Sequence, residues 1–378
     1  MSAATIRIAN VGTLVLVLLL AACCPPPAAA VAVAGLGAAP YPAGDRLFRG
    51  DARWLGGDAA YSVPIDAERR LWLFGDSFIA LDASRSRAKS KLVRNTLGLQ
   101  RGVDVREASM RFFHGGNDAA PSAFFASRGE RWYWPGPAAQ LSPSLLLLTL
   151  FELEKQPGDA LGFRAVASEA RLMSPGAHDD PSSWSTQRIE LPATPWGVLL
   201  GTGALLVDGG YVYNYAVVEP GNHDVYLARW PLERAQRGDL GDPQWWDGAT
   251  FRGQAELLRS AGRPRLVATA AQTELSVHRD PNDGGGVVMV HTIGFGQTSI
   301  GLRRAPRLTG PFDAPTAIAR PDESARDGVL VYAAKAHASL VTPDGAVLIT
   351  YATNHRDFAT LVADQSLYYP RFFALHAR

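Results

Sequence analysis

The chain has 378 residues, of which 47% are hydrophobic and 19% are charged, and its formal net charge is +1. This composition is that of an ordinary globular protein. The near-neutral balance argues against a nucleic-acid-binding protein, because phosphate binding needs a surplus of Lys and Arg on one face. We therefore expect a neutral or mixed partner.

The N-terminus carries a predicted export signal. Val11–Ala22 is an apolar segment of 12 residues, which is too short to span a bilayer but long enough for the core of a signal peptide. It ends in Leu20-Ala21-Ala22-Cys23, which resembles the bacterial lipoprotein signal, in which the cysteine is lipidated and becomes the new N-terminus. The alternative is plain secretion, with cleavage at an Ala-rich site in residues 28–34.

We therefore predict a signal peptide over residues 1–22, lipidation of Cys23, and a cell-envelope lipoprotein that is held at a membrane by its lipid. The only two cysteines of the chain lie together at this point, so the mature domain has no disulfide. Residues 23–47 are rich in Pro, Ala and Gly and predict a linker. Residues 48–378 then form a single domain.

Five stretches of that domain share one pattern, in which a first strand is followed by a turn and by an apolar or aromatic second strand. Asp-Gly and Gly-Gly turns between β-branched and aromatic runs indicate β-hairpins, because the tight turns of hairpins need positive φ. The five predicted hairpins cover residues 58–75, 121–134, 203–215, 274–291 and 337–351.

Each hairpin is followed by a further strand candidate, at residues 92–99, 145–152, 225–230, 298–303 and 367–375. Units of this length hold a four-stranded sheet with generous loops, and radial repetition protects the edges of such sheets. The sequence therefore predicts an all-β fold, a five-bladed β-propeller. A large β-sandwich is the alternative, although sandwiches seldom repeat one hairpin five times.

Polar residues that open the innermost strand of each blade would surround the axis of a propeller. Asp58, Glu274 and His337 occupy such positions, and the second strand of the first hairpin is followed by Asp76. Glycosidic bond cleavage needs one protonated and one ionised carboxyl group. Carboxylates beside tryptophans such as Trp134 therefore favour a sugar-cleaving site.

Structural roles are the alternative for each of these residues. Asp76 could hydrogen-bond its own turn, and Asp58 could tie down a loop. Glu274 could pair with Arg279 or Arg303. His337 could be a fully hydrogen-bonded histidine of an inner strand, and the tryptophans could be packing residues.

Residues 57–64, followed by residues 71–77, resemble the opening blade of a bacterial group long catalogued as a domain of unknown function, some members of which are endo-D-arabinanases with five-bladed propellers. The similarity continues through residues 93–96 and 132–136. It extends through residues 226–229, 273–277, 302–311 and 368–371, and thus covers most of residues 50–378.

The resemblance implies that Asp58 and Asp76 are the catalytic pair, with Glu274 as a further acid. It also implies that substrate is bound by residues of the shared motifs and of the inner strands: Arg94, Asn95, Trp134, His337 and Arg371. The expected function is a glycoside hydrolase that acts on a furanose-containing, arabinan-like polysaccharide.

The alternative function is a non-catalytic carbohydrate-binding or surface-interaction propeller lipoprotein. No redox cofactor and no metal site are implied by the sequence. An axial calcium is compatible with a propeller, but the sequence shows no dedicated cage of oxygen ligands.

Overall fold

The computed structural model describes residues 36–158, 162–280, 284–295 and 298–377. The predicted signal peptide and the lipidation site Cys23 lie outside these residues. In the described part of the chain no helix is both long and apolar enough to cross a membrane.

Strands dominate the described residues. Those of the first half are β1 (Leu36–Pro40), β2 (Trp54–Gly57), β3 (Tyr61–Pro64), β4 (Arg69–Phe74), β5 (Ser77–Ala80), β6 (Ser90–Val93), β7 (Thr96–Arg101), β8 (Ser109–Phe113), β9 (Gly115–Asn117), β10 (Ala120–Ser122), β11 (Trp132–Ser142), β12 (Leu145–Lys155), β13 (Phe163–Ser174) and β14 (Ser185–Glu190). Those of the second half are β15 (Val198–Asp208), β16 (Tyr211–Val218), β17 (Val225–Pro231), β18 (Gln244–Trp246), β19 (Phe251–Gly253), β20 (Leu266–Ala268), β21 (Leu275–Arg279), β22 (Val287–Ile293), β23 (Ser299–Ala305), β24 (Thr316–Ala319), β25 (Val329–Val341), β26 (Val347–His355) and β27 (Arg371–Ala377).

Helices in the described residues are short. The α-helices are α1 (Pro42–Asp45), α2 (Leu232–Gln236), α3 (Gln254–Arg259) and α4 (Phe358–Ala363). Single 3₁₀ turns lie at Arg46–Phe48, Arg87–Lys89, Pro181–Ser183 and Asp322–Ala325. The predicted all-β class is confirmed.

The strands form five larger antiparallel sheets. The first sheet has the order β3-β4-β7-β8, the second β11-β12-β13-β14, the third β15-β16-β17-β18-β19 with β20 on β17, the fourth β21-β22-β23-β24, and the fifth β25-β26-β27-β1. Two smaller sheets, β2-β5-β6 and β9-β10, lie outside this series. Gly209 and Gly210 have positive φ in the turn between β15 and β16, as predicted for a tight hairpin turn.

The sheets pack against one another in cyclic order. The first strands β3, β11, β15, β21 and β25, here called the inner ring, each contact the next one, and β25 contacts β3. The hydrophobic core lies between consecutive sheets and between the fifth sheet and the first. Residues from facing sheets that share a core cluster are Leu71 and Leu146, Leu172 and Val212, Leu227 and Met289, Val290 and Ile349, and Leu348 and Trp72.

The predicted linker 23–47 overlaps the folded domain. Strand β1 pairs antiparallel with β27, with Ala38 opposite Leu375, and α1 packs on the same strand. Residues 36–47 therefore belong to the fifth sheet and its surroundings. The rest of the predicted linker lies outside the described residues.

The second hairpin was predicted in the wrong place. Residues 121–125 contribute only to the small β9-β10 sheet, and the second sheet instead begins with β11 and turns into β12 at Ser142–Leu145. Pro135 and Pro137 are tolerated within β11 because it is the edge strand of its sheet and the pairing is irregular between Pro135 and Ala138. This shift puts Trp132 and Trp134 at the start of an inner-ring strand.

Candidate active site

Asp58 lies in the bend between β2 and β3. Its Oδ2 accepts a 2.7 Å hydrogen bond from the hydroxyl of Tyr332 and a 3.2 Å hydrogen bond from the hydroxyl of Tyr368. The bend is held by the two residues that follow, since Ala59 and Ala60 both have positive φ, at 63° and 57°. Such backbone conformations are strained for residues other than Gly and often occur at functional sites.

Asp76 lies between β4 and β5, one residue after Gly75. Its Oδ2 accepts a 2.8 Å hydrogen bond from Nη1 of Arg94, and its Oδ1 accepts a 2.7 Å hydrogen bond from Nε1 of Trp134. The residue is 9% exposed. Both carboxylate oxygens of Asp76 therefore have strong donors, one of them charged.

The two aspartates are neighbours. Gly75 donates its backbone N–H to the Asp58 carbonyl at 3.1 Å, and a Cβ on Gly75 would overlap with Oδ1 of Asp58. Only a residue without a side chain therefore fits at position 75, beside the Asp58 carboxyl group. The two aspartates that the sequence resemblance pairs are therefore close together in the structure.

The electrostatic environments of the two aspartates differ. Burial, followed by the negative charge of Asp76, raises the pKa of Asp58 to about 7. Burial also raises the pKa of Asp76, but the Arg94 guanidinium and the Trp134 indole oppose that effect. Near neutral pH, Asp58 thus has the environment of an acid, and Asp76 has the donors that stabilise a carboxylate.

Glu274 is close to this pair but is already paired with a cation. Its Oε2 accepts a 2.6 Å hydrogen bond from Nζ of Lys335, and Lys335 is only 1% exposed. Its charge contributes to raising the pKa of Asp58. The sequence suggested Arg279 or Arg303 as partner, but Arg279 pairs with Asp208. Glu274 is therefore placed as an electrostatic neighbour of the pair and not as a free acid.

Both ring nitrogens of His337 are hydrogen-bonded within the protein. Its Nδ1 is 2.7 Å from the Ser62 hydroxyl, and its Nε2 is 2.7 Å from the Thr350 hydroxyl. Burial, with Lys335 as the next cause, lowers the pKa of His337 to about 3. These contacts favour the structural role that was the stated alternative, and substrate binding by His337 stays a prediction.

Asn95 also has a structural role. Its Oδ1 accepts from the backbone N–H of Phe125, and its Nδ2 donates to the carbonyls of Phe125 and Tyr133. It is 1% exposed, so the predicted sugar contact is corrected. The predicted strand 92–99 breaks at this point into β6 and β7, which places Arg94 at the corner where it reaches Asp76.

Arg371 is held by acidic partners of its own. Its Nε is 2.9 Å from Glu323, its Nη1 is 3.7 Å from Asp45, and its Nη2 donates to the Ser366 carbonyl. These contacts link β27 to neighbouring segments, and no described contact joins Arg371 to either aspartate. These contacts favour a structural role for Arg371, and its substrate contact stays a prediction.

Three site residues were not singled out from the sequence: Tyr332, Tyr368 and Lys335. Tyr368 lies in the Tyr368-Tyr369-Pro370-Arg371 motif. The motif therefore pointed to the site, but the prediction selected Arg371 and not Tyr368. Tyr332 and Lys335 lie on β25, ahead of the stretch that was predicted as the fifth hairpin. No pattern in the sequence indicated that β25 begins at Val329.

The inner ring encloses an axial cavity of about 310 Å³. Its titratable lining residues are Tyr61, His278, Lys335 and His337. No carboxylate is among the lining residues, and calcium prefers oxygen ligands. The described lining thus offers calcium no carboxylate ligand, and the axial calcium stays a prediction. No group of three or more His, Cys, Asp or Glu side chains that could hold a metal occurs among the described residues.

The fold and the site define an all-β protein that holds two neighbouring, differently stabilised aspartates beside its first sheet. The chain belongs to the family described as a domain of unknown function, DUF5005, which matches residues 43–377. No curated protein matches the chain.

Among solved structures, the chain is similar to a protein from Bacteroides ovatus that is provisionally described as a hydrolase. The identity is 17%, the TM-score is 0.66, and the match covers 90% of this chain and 93% of that one. The chain is also similar to the catalytic domain of a GH62 α-L-arabinofuranosidase from Coprinopsis cinerea, at 12% identity, a TM-score of 0.44, and 90% and 96% coverage. The first of these similarities supports a shared fold.

Proposed function

We propose that this protein is a glycoside hydrolase in which Asp58 is the general acid and Asp76 is the carboxylate base or nucleophile. The observation that carries the proposal is the proximity of two aspartates whose carboxyl groups have different hydrogen-bond partners. Asp58 has a pKa raised to about 7, whereas Asp76 is bound by Arg94 and Trp134. Glycosidic bond cleavage requires this division between a protonated and an ionised carboxyl group.

In the proposed reaction, Asp58 transfers its proton to the glycosidic oxygen as the bond from that oxygen to the anomeric carbon breaks. Asp76 either removes a proton from the attacking water or bonds to the anomeric carbon itself, and water then releases the sugar. Arg94 is 41% exposed in its side chain and stacks 4.5 Å from the Trp132 ring. Arg94 and Trp134 thus present a polar and an aromatic group to a sugar beside the pair.

We propose that the fold is a five-bladed β-propeller, a proposal supported by the cyclic order in which the five larger sheets contact one another. Strand β1 would close the fifth blade by pairing with β27. The proposed substrate is a furanose-containing, arabinan-like polysaccharide, on the basis of the sequence resemblance to endo-D-arabinanases. We further propose that the protein is exported and anchored by a lipid on Cys23. No cofactor takes part in the proposed reaction.

The competing function is a carbohydrate-binding domain without catalysis. It is favoured by one observation: both oxygens of Asp76 already accept hydrogen bonds, and the residue is nearly buried. Under this alternative, the carboxylate would only fix Arg94 and Trp134 for sugar binding.

The release of reducing ends from a panel of L-arabinan, D-arabinan, arabinoxylan and fructan tests the proposal. We expect turnover of at least one furanose polymer, and a loss of about 10²- to 10⁴-fold in Asp58→Asn and Asp76→Asn. Asp239→Asn is the matched control, because Asp239 is paired with Arg234 as Asp76 is with Arg94. Absence of turnover on every polymer, together with retention on a glycan array, would establish the binding domain instead.

A further inference from the structure

We propose that Tyr332 and Tyr368 form a two-hydroxyl clamp on Asp58, which fixes Oδ1 as the oxygen that carries the transferable proton. The clamp makes these tyrosines positioning residues. This inference rests on the proposed function, in which Asp58 is the acid.

Both hydroxyls converge on a single oxygen. Tyr332, on β25, donates to Oδ2 at 2.7 Å, and Tyr368, just before β27, donates to the same atom at 3.2 Å. Two donors on one oxygen leave it little capacity to bear a proton of its own. In the protonated acid, Oδ2 is then the carbonyl oxygen and Oδ1 is the hydroxyl.

The other oxygen is kept clear by Gly75. Oδ1 lies where a Cβ of Gly75 would be, and no hydrogen bond to Oδ1 of Asp58 occurs among the described residues. Gly75 directly precedes Asp76, so Oδ1 lies over the backbone next to the second aspartate. The clamp therefore turns the free oxygen of the acid toward the region where both carboxyl groups must act on one bond.

The backbone holds the clamp in place at some conformational cost. Tyr368 has a φ of 64°, and Ala333, next to Tyr332, has a φ of 58°. The backbone N–H of Tyr368 donates to the Thr353 hydroxyl at 3.1 Å. Strained residues persist where the surrounding structure over-determines them, and here they carry both hydroxyls to Asp58.

The tyrosines can only donate at neutral pH. Burial raises the pKa of both phenols well above their ordinary value, so neither can act as a base. Their hydrogen bonds favour the ionised form of Asp58 and partly offset the effect of burial on its pKa. The other titratable or charged groups that face Asp58 are Asp76, Glu274 and Lys335.

The test is a ¹³C NMR titration of the aspartate carboxyl carbons, with the Asp58 signal assigned from Asp58→Asn. Removing the shorter hydrogen bond in Tyr332→Phe should raise the Asp58 pKa by roughly one unit. Tyr368→Phe should produce a smaller rise. The alkaline limb of the kcat/KM profile should move to higher pH by the same amount, because an acid with a higher pKa stays protonated up to a higher pH.

Tyr351→Phe is the matched control, since the Tyr351 hydroxyl donates to a different carboxylate, Glu323, at 2.9 Å. It should leave the Asp58 pKa unchanged. An unchanged Asp58 pKa in a folded Tyr332→Phe protein would overturn the clamp. If Tyr332→Phe fails to fold, Tyr368→Phe carries the test alone, with the same criterion. The titration needs no substrate, so a protein without turnover would refute the proposed function while the clamp is still measured.

Discussion

The indole Nε1 of Trp134 donates a 2.7 Å hydrogen bond to Oδ1 of Asp76. Trp134 belongs to the second sheet, whereas Asp76 follows β4 of the first sheet. The candidate site is therefore built across the boundary between two sheets. Its geometry depends on how these sheets pack as much as on the first hairpin itself.

Trp134→Phe keeps an aromatic ring but removes the donor to Asp76. Because that hydrogen bond lowers the pKa of Asp76, the pKa should rise, and the acidic limb of the kcat/KM profile should move up by roughly half to one unit. Trp245→Phe is the control, since the indole of Trp245, in the third sheet, donates to Gln254 at the start of α3. An acidic limb that stays in place would show that the indole does not tune Asp76.

How much of this site can be predicted from the sequence depends on how far apart the interacting residues lie along the chain. Asp58 and Asp76 lie across one hairpin, so local pairing was sufficient to place them together. Tyr332 is 274 residues from Asp58 along the chain, and only the closure of the fifth sheet onto the first brings it there. A single sequence carries no sign of that contact.

Other differences between the sequence-based predictions and the structure have local causes. Asn95 and His337 carry the residue types of a sugar-binding site, but their hydrogen-bonding groups are used by the fold. Residue type alone cannot distinguish the two uses. The second hairpin was misplaced because Ser127–Gly129 resembles a turn, and because prolines within β11 argue against a strand unless it is an edge strand.

Asn95→Ala should lower the stability of the fold and should not weaken substrate binding directly. It removes three hydrogen bonds to backbone groups at a buried position, so the free energy of unfolding should fall by about 2–4 kcal/mol. Urea denaturation measures this change. Asn214 is the matched position, because it also makes three hydrogen bonds to backbone groups, and Asn214→Ala should cost a similar amount. A stable Asn95→Ala protein with a raised KM would restore Asn95 as a sugar ligand.

Asp58 should make the protein less stable as the pH rises. Its pKa is raised in the folded state from the ordinary value of 3.8 to about 7, so the folded state holds the proton more tightly than the unfolded state. The resulting stabilisation is complete below about pH 4 and is lost as the pH rises through about 7. Asp58→Asn removes this dependence.

Relative to the wild type, Asp58→Asn should therefore gain stability between pH 4 and pH 8, by as much as about 4 kcal/mol. Urea denaturation at pH 4, 6 and 8 measures the difference. Asp239→Asn should show no such gain, because the pKa of the exposed Asp239 is lowered by Arg234 and not raised by burial. If the difference between Asp58→Asn and the wild type were the same at each pH, the pKa of Asp58 would not be raised.

Gly75→Ala should disrupt the site directly. A Cβ at this position would overlap with Oδ1 of Asp58, so the carboxyl group must rotate away from Asp76 or the backbone must shift. Overpacking of this kind typically costs about 1–3 kcal/mol of stability. Because Oδ1 is the proposed proton donor, kcat should fall by about 10²-fold or more, as expected when a general acid is displaced. Gly241→Ala is the control, since a Cβ there meets no atom within 4 Å, and it should leave both properties unchanged. A Gly75→Ala enzyme with wild-type kcat would show that Oδ1 need not occupy the space above Gly75 during the reaction.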